Sequence, residues 1–318
     1  MIMSKPICIV IVNWNSGPLL SRCVTSIQAY HLNLVENVVI VDNSSTDESL
    51  EFVERAGEEP VPTLLIKNSV NRGFAAACNQ GAALAQSDYL LFLNPDAELM
   101  PESLHGPLSY IREPCHSDVG IVGIQLESED GTVARSCARF PTPARFMAYS
   151  VGISNIPAFR SFGVAMTDWA HDVTMSVDHI MGAFFLIRHS VFRAANGFDE
   201  RFFVYFEDVD LSARVSQLGY RSVYLAESRA RHIGGGSSRK IKARRLYYSI
   251  QSRILYGSKH FGLVGRILAA TVTLTVEPIV RLIVAALKGS GEDVRNTLSA
   301  FQMVYTSLPL TMARVRRR

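Results

Sequence analysis

The sequence predicts an α/β fold: a mostly parallel, open sheet flanked by helices, followed by a basic helical extension. Three observations predict it. Short apolar, β-branched runs alternate with helix-spaced segments over the first hundred residues. Four of those runs end in polar loops. The charge is also split along the chain. From residue 237 onward 15 Lys/Arg face three acids, a net +12, which leaves −9 before it.

Residues 6–12 are continuously apolar, the look of a strand buried on both faces. A turn at residues 13–18 follows. Leu19, Leu20, Cys23, Val24 and Ile27 then mark one helical face, with Pro18 suited to its start. Residues 37–41 form the second strand, 42–47 a loop and cap, and 48–56 a short helix. Residues 63–67 are the third strand, 73–85 a helix of small residues, and 89–93 the fourth strand, ending at Asn94-Pro95-Asp96. From 119 to 180 the pattern weakens. A hairpin turn is expected at 129–132, inside a variable segment facing the substrate. Strand character returns at 180–187, a short helix at 190–195 and another strand at 221–225. A flexible loop around His232 is expected over 231–237.

In open sheets of this kind ligands bind beyond the carboxyl ends of the strands. Those ends carry Asn13, then Asp42, then Asn68, Asn71 and Arg72, then Asn94 and Asp96. Asn and Asp are also ordinary turn formers, but four such loops in succession favour a site.

The most unusual stretch is 197–211. Phe202, Phe203, Tyr205 and Phe206 run into Glu207, Asp208 and Asp210, an apolar wall ending in clustered acids. Leu211, Val215 and Leu218 then repeat at helical spacing before Gly219, so the acids open a helix. A simpler reading is that they complement its positive end, with Asp210 and Arg214 an ordinary pair four apart.

The C-terminal region reads as a basic, aromatic helix over 239–261. An apolar run at 267–276 is closed by Glu277-Pro278, shorter than the about 20 residues a bilayer needs. An interfacial helix pair against anionic lipid is favoured over an amphipathic core helix, and the basic end 314–318 fits attraction to lipid and a solvated tail equally. Five cysteines, widely spaced and without a CxxC pair, argue against a disulfide framework and for a reducing compartment. No signal peptide is read at the N-terminus. Together these place the protein in the cytoplasm, peripheral to the inner face of the membrane.

The motifs taken together resemble family 2 glycosyltransferases of the GT-A fold, close to bacterial rhamnosyltransferase-like members. The matching pieces are residues 11–16 (Ile-Val-Asn-Trp-Asn-Ser), 39–47, 71–75 (Asn-Arg-Gly-Phe-Ala), 91–96, 182–188, 197–203 with 207–211, and 232–237. They follow the family's order across roughly residues 6–260. The resemblance implies a GT-A domain over 1–236, with a nucleotide-sugar half to about 118 and an acceptor half after it. A helical extension then covers 237–318.

It also implies roles. The donor is a nucleotide-diphosphate sugar, dTDP- or UDP-linked, and the acceptor a glycan or polyprenyl-linked glycan. Asp42 accepts from the base; Asn13, Asn71, Arg72, Gly73, Asn94 and Gly182 surround nucleotide and sugar. Asp96 matches the last acid of the metal motif, Asn94 replaces the first, and His232 matches a position that adds a nitrogen in some relatives. The metal implied is Mg2+ or Mn2+. Asp208 matches the catalytic base of an inverting transfer, with Glu207 orienting it or the acceptor. Asp210 is read as structural.

Other classes fit less well. A Rossmann dehydrogenase needs GxGxxG after the first strand, which is missing. A processive polysaccharide synthase would carry Gln-x-x-Arg-Trp and long membrane spans. A nucleic-acid binder is suggested only by the basic end. The non-enzyme alternative is an inactive, membrane-associated sugar-nucleotide binder, which would be insensitive to Asp208→Asn.

Overall fold

The computed structural model describes residues 6–55, 61–234 and 241–316. The chain divides into two compact units. The first comprises Met1–Ala138, Ala170–Glu200 and Asp208–Ser237; the second comprises Arg139–Trp169, Arg201–Glu207 and Ser238–Arg318. The helical region expected from residue 237 is thus joined by two segments from the middle of the sequence.

The first unit follows the alternation in the sequence. In order come β1 (Ile7–Asn13), α1 (Leu19–Tyr30), β2 (Val35–Asp42), α2 (Glu51–Arg55), β3 (Thr63–Lys67), α3 (Phe74–Ala82), β4 (Tyr89–Leu93), β5 (Ala97–Leu99), α4 (His105–Arg112), β6 (Val119–Glu127) and β7 (Cys137–Ala138). In the second unit lies α5 (Pro143–Ser150). The first then resumes with β8 (Met175–Val177), β9 (His179–Ile180), β10 (Phe184–Arg188) and α6 (His189–Ala194). Next come α7 (Glu207–Gln217), which opens on the last residue of the second unit's Arg201–Glu207 segment, and β11 (Arg221–His232).

The large sheet has the order β3-β2-β1-β4-β10-β6-β11-β5, with β8 on β11. Among the described residues six strands run one way; β5, β8 and β10 run against them. The chain steps outward from β1 to β2 and β3, then returns to place β4 on the other side of β1. That reversal opens a crevice at the carboxyl ends of β1 and β4, where such sheets bind ligands. Every residue of β1 and β4 is buried, which accounts for their unbroken apolar sequences.

Several elements depart from expectation. Residues 119–127 form a central strand, β6, rather than part of a variable loop. Its pattern is broken by Gly123, where a Cβ would run into the Ile180 side chain. The strand expected over 180–187 is split into β9 and β10 around Met181-Gly182-Ala183. His232 is the last residue of β11, not the centre of a loop; Gly235, Gly236 and Ser237 lie outside the described residues. The second half of β11 alternates exposed and buried residues, so its polar side chains read as a loop. The turn at 129–132 is present, closed by Ser128 N–H to Thr132 O at 2.9 Å.

The second unit is helical: α5, then α8 (Lys242–His260), α9 (Leu263–Leu287) and α10 (Gly291–Arg316). Arg239, Arg317 and Arg318 lie outside the described residues. The apolar run does not stop at Glu277-Pro278; α9 passes through both and is long and apolar enough to cross a membrane by length and composition. This corrects the expectation of a short segment. Glu277 can stay inside because Arg253 and Arg281 each reach it at 2.8 Å, and Ser150 donates at 3.0 Å. Burial alone would raise its carboxyl; the two guanidiniums hold it below the usual range.

α9 is inside-out. Its buried residues are Ala269, Thr273, Glu277 and Ala285, while Leu263, Val264, Ile267, Ile279, Ile283 and Leu287 are exposed. The long α10 falls within the helical extension expected over 237–318, although its own limits were not set from the sequence. Its Phe301 and Val304 complete a small core with Ile250 and Ile254 of α8.

Candidate active site at the carboxyl edge of the sheet

Asn13 ends β1, fully buried, and pairs in register with Asp42 at the end of β2. Its Nδ2 donates to Asp42 Oδ1 at 2.8 Å, Ser45 Oγ at 3.0 Å and Ser49 Oγ at 2.8 Å; Ser16 donates to its Oδ1. Ser45 adds its Oγ to Asp42 Oδ1 at 2.6 Å and its N–H to Oδ2 at 3.0 Å. A buried carboxylate needs such donors to stay charged. This network fixes the β1 and β2 loops against each other.

Asn43, not singled out in the sequence, joins the next loop. Its Oδ1 accepts from Asn68 Nδ2 at 3.0 Å and Arg72 N–H at 3.4 Å, and its Nδ2 donates to Gly73 O at 3.1 Å. Asn71 Oδ1 accepts from Gly73 N–H at 2.9 Å. The Arg72 side chain is exposed, open to an incoming anion.

The far side of the crevice is set by antiparallel pairings. Asn94 N–H donates to Ala183 O at 3.0 Å, bringing the end of β4 to the segment before β10. The β5–β11 register pairs Ala97 with His232, and Ile233 N–H donates to Asp96 O at 3.1 Å. The side chains meet, with His232 Nε2 3.2 Å from Asp96 Oδ1. The two are close but poorly aligned, and Nε2 has no hydrogen-bond partner among the described residues. An imidazole nitrogen left open beside a carboxylate oxygen is a donor set that suits a divalent cation. Two residues predicted as metal ligands are therefore brought together by strand register.

Asp208, in the first turn of α7, sits on the same edge. Its Oδ2 accepts from Gly182 N–H at 3.0 Å and its Oδ1 from Val209 N–H at 2.8 Å. A Cβ on residue 182 would lie 3.2 Å from Oδ2, so glycine suits the approach. His179 Nε2 lies 3.6 Å from the same oxygen, and its Nδ1 is 3.0 Å from Ser212 Oγ. The sequence offered no sign of His179, because a single histidine in an apolar strand looks like any core residue. Asp210 is fully buried on Arg214, 2.8 Å away, as the structural reading expected.

Glu207 immediately precedes Asp208, is buried, and belongs to the second unit. The aromatics before it are held within that unit. Phe203 stacks on Tyr248 at 4.8 Å, and Phe206 packs against Phe146 at 5.7 Å and Tyr256 at 5.8 Å. Tyr205 and Phe206 both adopt left-handed backbone, φ 68° and 67°. Each costs roughly 1 kcal/mol or more, and this double strain falls directly before the paired acids.

A buried polar crevice, an open His–carboxylate pair and a carboxylate on a backbone N–H share one sheet edge. Residues 8–169 match the family model described as glycosyl transferase family 2. The chain belongs to glycosyl transferase family 2. This glycosyltransferase is 27% identical over 243 residues, 72% of this chain and 76% of the relative, to an N-acetylglucosaminyl-diphospho-decaprenol L-rhamnosyltransferase of Mycobacterium tuberculosis. It is 27% identical over 175 residues, 54% of this chain and 62% of the relative, to the rhamnosyltransferase WbbL of Escherichia coli. Its fold is GT-A. It resembles the mannosyltransferase PcManGT of Pyrobaculum calidifontis, solved with GDP-Man and Mn2+, at TM-score 0.57 and 16% identity, covering 99% of this chain and 86% of that one. It also resembles GalNAc-T7, solved with UDP, GalNAc and Mn2+, at TM-score 0.59 and 16% identity, covering 95% and 57%.

Proposed function

We propose that this glycosyltransferase moves a single sugar, rhamnose from dTDP-rhamnose, onto a lipid-linked glycan in cell-envelope polysaccharide synthesis, with inversion. The observation that carries the mechanism is Asp208, held on the Gly182 N–H at the carboxyl edge that also holds the Asp96–His232 pair. The donor and acceptor rest on the rhamnosyltransferases it is similar to.

Asn13, Asp42 and the Asn43–Gly73 loop form the wall for base and ribose, with Arg72 free to meet the phosphates. Asp96 and His232 would hold a divalent ion, which when bound stabilises the charge of the departing diphosphate. With that charge stabilised, the chain needs one base rather than an acid–base pair. Asp208 takes the proton from the acceptor hydroxyl as its oxygen bonds to the anomeric carbon. The bond from that carbon to the diphosphate oxygen breaks on the opposite face, and its electron pair leaves with the nucleotide.

The outward aliphatic face of α9, bordered by Arg266 and Lys288, is proposed to lie on an anionic membrane surface, near a lipid-linked acceptor. Replacing Ile267, Ile279 and Ile283 with Gln should abolish sedimentation with phosphatidylglycerol vesicles; undiminished sedimentation removes this role. The function is tested with a donor panel: UDP-, dTDP- and GDP-sugars, with and without EDTA. Metal-dependent selection of dTDP-rhamnose is expected. Selection of a UDP-sugar would keep the mechanism and discard rhamnose. Binding of none by folded protein would favour the inactive-binder alternative.

A further inference from the structure

We infer that His179 is a positioning residue for Asp208. This rests on Asp208 acting as the base, and it assigns to β9 a part in the reaction. The geometry is a three-residue bridge. α7 carries Asp208 and Ser212 four residues apart, on one face. The His179 ring lies across them, with Nδ1 3.0 Å from Ser212 Oγ and Nε2 3.6 Å from Asp208 Oδ2. The ring is buried, 4% exposed. Three residues further along the chain, Gly182 N–H reaches the same Oδ2 at 3.0 Å. One short segment therefore addresses the carboxylate twice, once through backbone and once through a ring.

When Ser212 donates to Nδ1, the proton of the neutral ring sits on Nε2 and faces Asp208. Burial lowers the His179 pKa and keeps the ring neutral, although Asp208 and the adjacent Asp178 oppose this. Cys137 lies on the paired strand β7, and burial pushes its thiol up to about 12, so it adds no charge. At 3.6 Å the Nε2–H is too far for a hydrogen bond. It acts as an oriented dipole that favours the ionised carboxylate and limits its rotation. A neutral ring can do this without giving its own proton to the carboxylate, as a charged imidazolium could.

The sign of the pH effect follows. Asp208 must be ionised to accept a proton, so rate is lost toward acid pH. Removing a dipole that favours the ionised form moves the acid limb of the rate to higher pH.

The test uses full-length protein, dTDP-rhamnose and a short-chain polyprenyl-diphospho-N-acetylglucosamine as acceptor. For His179→Phe, kcat should fall about 10- to 100-fold, the size typical of losing a group that orients a reacting one. The donor KM should stay within about 2-fold, since the ring is not expected to touch the nucleotide. The acid limb of kcat should move up. His179→Gln, which restores an N–H, should recover part of both effects. Ser212→Ala should shift the limb the same way by less, and it serves where the Phe variant does not fold.

An unmoved acid limb with no rescue by Gln would reduce His179 to core packing. Asp208→Asn separates the two layers of the argument. Near-normal turnover in that variant overturns the base assignment and the His179 role with it. An inactive Asp208→Asn beside an unmoved His179→Phe limb overturns the His179 role alone.

Discussion

The two sides of the crevice are built differently. On the β1–β2 side, Asn13, Asp42 and Ser49 are buried, Ser45 is half-buried, and all four are tied by mutual hydrogen bonds. On the β4–β11 side, His232 Nε2 lies near Asp96 without a hydrogen bond, and Asp208, held by the Gly182 and Val209 N–H groups, meets the His179 ring only at 3.6 Å. A saturated network is rigid. A nitrogen left without a hydrogen bond costs stability but leaves bonding capacity for a cation. The proposed function puts recognition on the first wall and chemistry on the second. The first wall should answer mutation mainly in stability, the second mainly in rate.

That contrast can be broken in three places. The largest effect is expected at Asp208. Asp208→Asn should lower turnover about 1,000-fold or more while leaving donor affinity within about 3-fold, measured by initial rates and by calorimetry. Substantial turnover would mean the base is elsewhere.

A smaller effect is expected at the open pair. His232→Ala or Asp96→Ala should raise the metal concentration for half-maximal rate by at least about 10-fold. The imidazole should make Mn2+ more effective than Mg2+ in restoring EDTA-treated enzyme. A metal titration that overlays the wild type would show that the pair is structural.

The smallest effect on rate, and the clearest on stability, is expected on the saturated wall. Asn13→Ala strips a donor from Asp42 and Ser49 and should cost about 2 kcal/mol in urea unfolding. An unchanged midpoint would contradict the idea of a wall held by its own hydrogen bonds.

Legibility in the sequence divided along similar lines. β3 and β4 have the predicted limits because an apolar run between turn residues is a local signal. Asn13, Asp42, Asn94 and Asp96 were visible because they end such runs. β6 was not, because Gly123 makes room for Ile180, a residue far away in sequence. His179 and Asn43 escaped for the same reason: their partners, Asp208 and Gly73, are assembled only by folding. The sequence also stopped α9 at Glu277, since no local pattern announces that Arg253 will neutralise it. Features defined by neighbours in the chain were readable; those defined by neighbours in space were not.

The cysteines offer a practical consequence. Cys8, Cys23, Cys78 and Cys137 are buried, and Cys115 alone is exposed. Burial raises the thiols of Cys8 and Cys137 to about 12 and pushes that of Cys23 up still further. They should be inert to alkylation while the fold is intact. Cys115 lies just before β6, at the amino end of a strand whose direction puts the site at the other end of the sheet. A maleimide dye should therefore attach once, away from the crevice, giving a single-site reporter without engineering. Uptake of further equivalents would then time the opening of the core.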